Sequence, residues 1–381
     1  VYDFPILRIL ALAVGVALEF VVLQDAFETI ILPRTVNRDV RLTTLIVRTV
    51  GKFWYFVARR LRGERREAWL GAFAPLSTIL LILMWAVFQI VGFGLFHWGL
   101  RTEFVGHTAM ELQEYFFFSG GAFFTVGSDY VPATHFGHFL SILESGLGFA
   151  FLGLVIGYVP VITQQFGARE AQITLFDARA GSPSTAFELY RRYSESDDLG
   201  SLADLMAEWE KWCAELLQSF MSYPILAWYR SQHDAQSWLS AITTILDACA
   251  LAQLGFDESH PWAPKLTRQS KLTFAIARHT VIDLALITHT PPAEKAADRL
   301  PTASFRSLQA QLESVGVLIC STPGAERKLR ELRDLYEPYL ETLGKVLFLE
   351  VPPFCVEARG ADNWQTSAFD AGEHFASGSP R

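Results

Sequence analysis

Residues 110–139 read MELQEYFFFSGGAFFTVGSDYVPATHFGHF, an aromatic run of helical length that ends in Thr125-Val126-Gly127-Ser128-Asp129 and then Pro132. A water-exposed loop has no use for Tyr115, Phe116, Phe117, Phe118, Phe123 and Phe124. The pattern predicts a short helix that dips into a membrane and is buried in protein, followed by extended backbone returning to the surface. Non-helical backbone at membrane depth is tolerated only where protein buries it or where it lines a watery path. A path of that kind between two membrane helices describes a pore loop.

The flanks fit this reading. A helix needs about 20 mostly apolar residues to cross a bilayer. The windows at about 72–98 and 136–161 bracket the aromatic segment, and another lies at about 5–32. Between the windows at 5–32 and 72–98 lie Arg34, Arg38, Arg41, Arg48, Lys52, Arg59, Arg60, Arg62, Arg65 and Arg66, opposed only by Asp39, Glu64 and Glu67. Positive loops stay inside. Residues 99–135 are therefore expected outside, and everything after about Gln164 in the cytosol. Leu45-Ile46-Val47, Phe53-Trp54, Phe56-Val57 and Leu61 interleave with the basic residues, as in an amphipathic helix on the inner membrane surface. That segment either levers the second membrane helix or only fixes topology.

Composition agrees with a membrane protein carrying a polar domain. The mean hydropathy of the 381 residues is +0.23, with the apolar excess concentrated before residue 165. A formal net charge of −8 argues against nucleic acid as a partner. Cys213, Cys249, Cys320 and Cys355 have no CxxC or metal spacing and read as reduced thiols. The expected divisions are a membrane helix at 1–33, a basic interfacial segment at 34–70, a pore module at 71–165, a helical cytosolic domain at 166–355 and a disordered tail at 356–381.

The order of membrane helix, re-entrant helix, TVG and membrane helix resembles the two-helix pore module of the potassium-channel family over roughly residues 72–165, about a quarter of the chain. In that family a TVGYGD-type strand from each of four subunits turns its carbonyls inward, replacing the hydration shell of the ion. The resemblance implies an all-α homotetramer in the cell membrane (the inner membrane if bacterial). It assigns the selectivity filter to Thr125, Val126, Gly127, Ser128 and Asp129. Pro132 and Thr134 resemble the P-x-T that begins the inner helix, Gly137 falls at the family's helix-start glycine, and Gly148 falls at its hinge glycine. The filter departs from the pattern. TVGSD lacks the aromatic and the second glycine, so its outer part is expected to be rebuilt, with Tyr130 substituting in part for the aromatic brace.

A permeating monovalent cation is the implied ligand, K+ first with Na+ as the alternative, and no cofactor is expected. Glu103, Glu111, Glu114 and Asp129 against Arg101 favour cations at an outer mouth; the alternative for Glu111 and Glu114 is that they cap the short helix. Pro160 either kinks the inner helix or ends it. Gly153 and Gly157 read as a packing pair. Glu19 reads either as a functional group at membrane depth or as a paired or protonated one. Asp25 and Glu28 are expected to meet the following arginines, and Glu144 to pair behind the filter in a structural role.

Helical periodicity continues at about 183–195, 200–220, 223–255, 265–290, 303–317 and 325–347, with Leu202, Leu205, Met206, Trp209, Trp212 and Leu216 on one face. No strand followed by GxGxxG supports a nucleotide-binding domain. His279 and Asp283 read as ordinary helix-face residues, and the cluster around Tyr223, Pro224 and Trp228 to His233 as a packing patch. With no nucleophile, base or metal set, catalysis is not expected. The functional readings are a gated cation channel or, as the alternative, a non-conducting membrane-anchored sensor that keeps the pore module for tetramerisation.

Overall fold

The structure is a computed structural model that describes residues 5–32, 42–107, 110–182, 184–231, 236–256, 260–319 and 323–354. Arg34, Arg38, Asp39, Arg41, Gln232, His233, Cys320, Cys355 and the tail from 356 lie outside the described residues. The described chain is helical, and its only β pairing is in isolated bridges such as Phe104 with Pro132. It divides into two compact units, Val1–Gln164 and Gln165–Arg381.

In the first unit, α1 spans Pro5–Ala26 and is prolonged by a wider turn at Phe27–Ile31. Then come α2 (Leu42–Ala58), α3 (Glu64–Gly99), α4 (Leu112–Phe123) and α5 (His135–Ala180). Pro5–Ile31, α3 and α5, of 27, 36 and 46 residues, are long and apolar enough to cross a membrane. α3 begins earlier than its apolar window, so the expected division at residue 71 falls inside a helix. The reason is local: Glu64 and Glu67 occupy the first turn, where carboxylates offset the positive helix end.

α5 also outruns expectation. Pro160 lies inside it, which rules out Pro160 as the helix end. A proline deletes one backbone hydrogen bond and crowds one turn, and the remaining bonds of a 46-residue helix carry it through. The division between the two units, at Gln164, therefore falls within α5.

Small residues let these helices approach closely. Gly15 of α1 lies against the Gly92 carbonyl of α3, where an added Cβ would sit 2.9 Å from that oxygen. Trp54 of α2 and Trp69 of α3 stack at 4.1 Å, and each indole N–H donates to the other residue's carbonyl, at 2.7 and 3.0 Å. This reciprocal clamp fixes α2 to α3 on one side while Leu45, Phe53 and Phe56 remain exposed. Asp25 accepts from the Trp85 indole at 2.9 Å and from the Thr43 hydroxyl at 2.8 Å. Its bonds thus tie α1 to α3 and α2.

The second unit is built around α8 (Trp238–Ala252), of which every residue is buried. α6 (Ala186–Glu195), α7 (Leu202–Ser222), α9 (Ala263–Ile287), α10 (Thr302–Ser314), α11 (Pro323–Arg333) and α12 (Glu337–Leu347) complete it. The apolar face expected on α7 is buried from Leu202 to Leu216. Two expected helices are broken. The stretch 223–255 becomes a short turn at Pro224–Trp228 and then α8, which starts where the Ser237 hydroxyl accepts from Ser240 N–H. The stretch 325–347 breaks before Glu337, because Pro338 has no N–H for the preceding turn.

Cys213 and Cys249 are buried free thiols, and burial pushes the Cys213 thiol up from its ordinary value, which suppresses the reactive thiolate. The Asp247 carboxylate of α8 is 1 % exposed and is held by Arg299 at 2.6 and 3.1 Å and by the Tyr336 hydroxyl at 2.7 Å. Arg299 also reaches Glu337 at 3.2 Å, and Arg333 joins Glu337 at 2.9 Å and Asp298 at 2.7 Å.

Candidate functional site

The segment between α3 and α5 is anchored where its two flanks meet. Val105 N–H donates to Val131 O at 2.9 Å and Ala133 N–H to Glu103 O at 2.7 Å, so residues 103–105 and 131–133 run side by side. The ring of Phe104 packs against Tyr115, Phe118 and Tyr130. The Thr134 hydroxyl accepts from Gly137 N–H at 3.1 Å at the start of α5. A Cβ on Gly137 would sit 3.0 Å from Pro132 and from Thr102. Thr134 and Gly137 thus set the close turn into the helix.

Glu111 and Glu114 form a reciprocal capping box at the start of α4, with Glu111 N–H donating to Glu114 Oε2 at 2.6 Å. Of the two alternatives for these residues, capping is what the geometry displays. Glu114 Oε1 also accepts from the Tyr130 hydroxyl at 3.2 Å. Tyr130 is therefore braced by Glu114 and by the Phe104 and His107 rings, at 5.9 and 4.9 Å.

The Thr125–Gly127 backbone is wound more tightly than an extended strand. Phe124 N–H donates to Gly120 O, Thr125 N–H to Ala122 O, and both Val126 N–H and Gly127 N–H to Gly121 O, at 3.0 to 3.2 Å. Thr125 has φ +55° and Gly127 φ +85°. Left-handed backbone is cheap for glycine and costly for threonine, so the turn imposes strain at Thr125. Four successive amides are consumed by the last turn of α4. Among the described residues, no hydrogen bond ends on the carbonyls of Thr125, Val126 or Gly127, and residues 124–129 are exposed. The Val126 side chain is 82 % exposed. Ser128 Oγ donates to Tyr130 O at 3.2 Å, and Asp129 is exposed beside it.

Gly148, expected as a hinge, sits where the end of α4 meets α5. A Cβ there would strike the Phe123 carbonyl oxygen and lie 2.8 Å from the carbonyl carbon. The glycine is required for this approach, and the Phe123 and Phe151 rings close the contact at 5.7 Å. By contrast, no non-neighbouring atom of the described residues lies within 4 Å of a Cβ added at Gly146, Gly153 or Gly157. Pro160 is exposed. Glu144 bonds Ser119 at the middle of α4, while Asp129 lies exposed in the loop beyond α4. His97 and Ser119, which the sequence reading passed over, contact that carboxyl, and Gln89 is buried on α3 as well. Their signal was present as polar residues buried within apolar helices, Gln89 and His97 lying two helical turns apart on α3.

No group of three or more His, Cys, Asp or Glu among the described residues is arranged to hold a metal ion. His279 and Asp283 form a 3.3 Å pair on the surface of α9. The segment near Tyr223 is a packing patch: Arg169 donates to the carbonyls of Leu226 and Tyr229, each at 2.9 Å. Compared with known proteins, the chain matches no family model, no curated protein and no solved structure.

Proposed function

We propose that the chain is one subunit of a homotetrameric cation channel of the potassium-channel type, conducting passively through carbonyls of Thr125, Val126 and Gly127. The observation that carries this reading is the exposed turn at 125–127, where α4 takes up the amides and leaves the carbonyls without a partner. Four such turns around an axis supply oxygen ligands of the kind that replace an ion's hydration shell. Glu103 and Asp129, both exposed, add negative charge at the approach. The missing second glycine leaves fewer carbonyls than a full filter, so selectivity for K+ over Na+ is expected to be weak. Gating follows from the Gly148 contact: bending α5 there displaces the Phe123 carbonyl and with it the turn that follows. The residues after 165 lie on the cytosolic side in this reading and bias the bend.

Flux of K+ and Na+ into liposomes carrying the purified tetramer tests the proposal. Gly127→Ala forces a side chain onto a φ of +85° and is expected to abolish flux while leaving the tetramer intact. A wild-type tetramer that passes neither ion, or a Gly127→Ala variant with wild-type flux, refutes it.

A further inference from the structure

Inside the first unit, four helices bring polar side chains together away from solvent. Glu19 comes from α1, His97 from α3, Ser119 from α4 and Glu144 from α5, and Gln89 of α3 is buried as well. His97, Ser119 and Glu144 have no exposed surface, Gln89 is 2 % exposed and Glu19 is 8 % exposed. Gly92 makes room for this arrangement, since a Cβ there would strike the Glu19 carboxyl. The two carboxyls are close enough to repel each other when charged. Yet among the described residues both oxygens of Glu19, Oε2 of Glu144, Oε1 of Gln89 and Nε2 of His97 have no hydrogen-bond partner.

A hydrogen count identifies what is missing. The Ser119 hydroxyl oxygen lies 2.8 Å from the Ile90 carbonyl and also contacts Glu144 Oε1. A hydroxyl owns one hydrogen, and a backbone carbonyl can only accept. If Ser119 donates to Ile90, its contact with Glu144 is a hydrogen bond only when Glu144 carries the hydrogen. A protonated Glu144 satisfies both contacts at once. An ionised Glu144 satisfies one, and adds an uncompensated charge beside Glu19 at membrane depth.

Among the described residues, Glu144 forms no ion pair with a lysine or arginine. On α1, Arg8 lies over the Trp98 ring at 5.7 Å. On α3, His97 Nδ1 pairs with the Thr102 hydroxyl at 2.9 Å, and its Nε2 stands 3.6 Å from Glu144 Oε2, beyond hydrogen-bond length. On α4, Tyr115 directs its hydroxyl to the Thr102 carbonyl at 3.4 Å.

From these contacts we infer that Glu144, Glu19 and His97 form a proton-binding site within the helical bundle, with the proton on Glu144 bonding α5 to Ser119 of α4. With Nδ1–H directed to Thr102, His97 Nε2 presents a lone pair toward Glu144. Proton release breaks the Glu144 O–H bond and leaves its electron pair on the carboxylate. The proton passes to Nε2, making the imidazolium, and from there to water. The consequence is loss of the donated bond to Ser119 on the helix that leads into Thr125–Gly127. The site does not depend on whether that turn conducts ions.

The test titrates the purified full-length protein in nanodiscs, using infrared difference spectroscopy together with thermal unfolding. At neutral pH the wild type is expected to show the C=O band of a protonated carboxyl that is absent in Glu144→Gln and shifted in Ser119→Ala. Because folding takes up the proton, wild-type unfolding midpoints should fall as pH rises. Glu144→Gln, whose amide N–H donates to Ser119 as the acid does, should lose that slope. A Glu144 ionised at neutral pH overturns the inference, and so does a Glu144→Gln variant with the full wild-type slope. Should Glu144→Gln not fold, a wild-type carboxyl band insensitive to Ser119→Ala overturns it equally.

Discussion

The two compact units bury polar side chains in opposite ways. In the second unit, buried charge is matched: Asp247 meets Arg299 and Tyr336, Glu337 meets Arg299 and Arg333, and Arg333 reaches Asp298. In the first unit, Glu19, Gln89, His97 and Glu144 are equally hidden but leave atoms without partners. Buried ions are costly to desolvate, and pairing them in place makes a rigid cross-link. The network on α8 is such a cross-link, tying the central helix to the chain around 298–299 and to α12. The membrane-side cluster lacks the counter-ions for that role, and its carboxyls persist there by taking up hydrogen.

The contrast can be broken most severely in the second unit. Arg299→Ala leaves Asp247 and Glu337 buried without their shared partner, and removing one member of a buried pair costs about 3–5 kcal/mol. Denaturant unfolding should show a loss of that size. An effect below about 1 kcal/mol would mean that the network is no cross-link. In the first unit the larger effect belongs to packing rather than charge. Gly148→Ala drives a Cβ into the Phe123 carbonyl and is expected to cost about 1–3 kcal/mol, as overpacking does. It should also impair flux, whereas alanine at Gly153, which meets nothing within 4 Å among the described residues, separates packing within a subunit from packing between subunits.

The smallest effect concerns pH in the second unit. Burial works against the Asp298 carboxylate, but the Arg333 hydrogen bond, the Leu300 N–H and the charges of Arg333 and Arg330 outweigh it and hold the group below its ordinary value. A carboxyl depressed in the folded state adds stability above its unfolded pKa of about 3.9 and loses it as pH falls through the lower folded value. The side chain is 48 % exposed, so the pair contributes about 0.2–1 kcal/mol. Asp298→Asn should therefore flatten the acid limb of a stability profile slightly and leave it unchanged at pH 7 apart from that small loss. The sign is opposite to that expected at Glu144, where stability is lost as pH rises.

Much of the architecture was legible because apolar length and periodicity report it directly. The three long helices and the buried α7 face follow from runs that only burial or lipid accommodates. Helix ends were less legible. α3 extends back to Glu64 through charged residues that suit a helix as well as a linker, and α5 runs through Pro160 because one missing bond does not end a helix of 46 residues. Within the candidate site, TVG and the caps at Glu111 and Thr134 announce themselves by residue type. The winding of Thr125–Gly127 onto α4 does not, since a threonine at φ +55° contradicts its local preference. Nor could spacing show that Gly148 faces the Phe123 carbonyl, which depends on how two helices meet. The partners of Glu144 come from α3 and α4, so no pattern within α5 identifies them.

The central claim is that the carbonyls of Thr125 to Gly127 bind cations on a fourfold axis. An experimental density map of the tetramer in Rb+ or Tl+ tests it most directly. The account predicts ion density on the axis beside these carbonyls, with none in the outer part where the second glycine is missing. A tetramer whose 125–127 turns lie away from the axis, or whose axis holds no ion at that level, would contradict it.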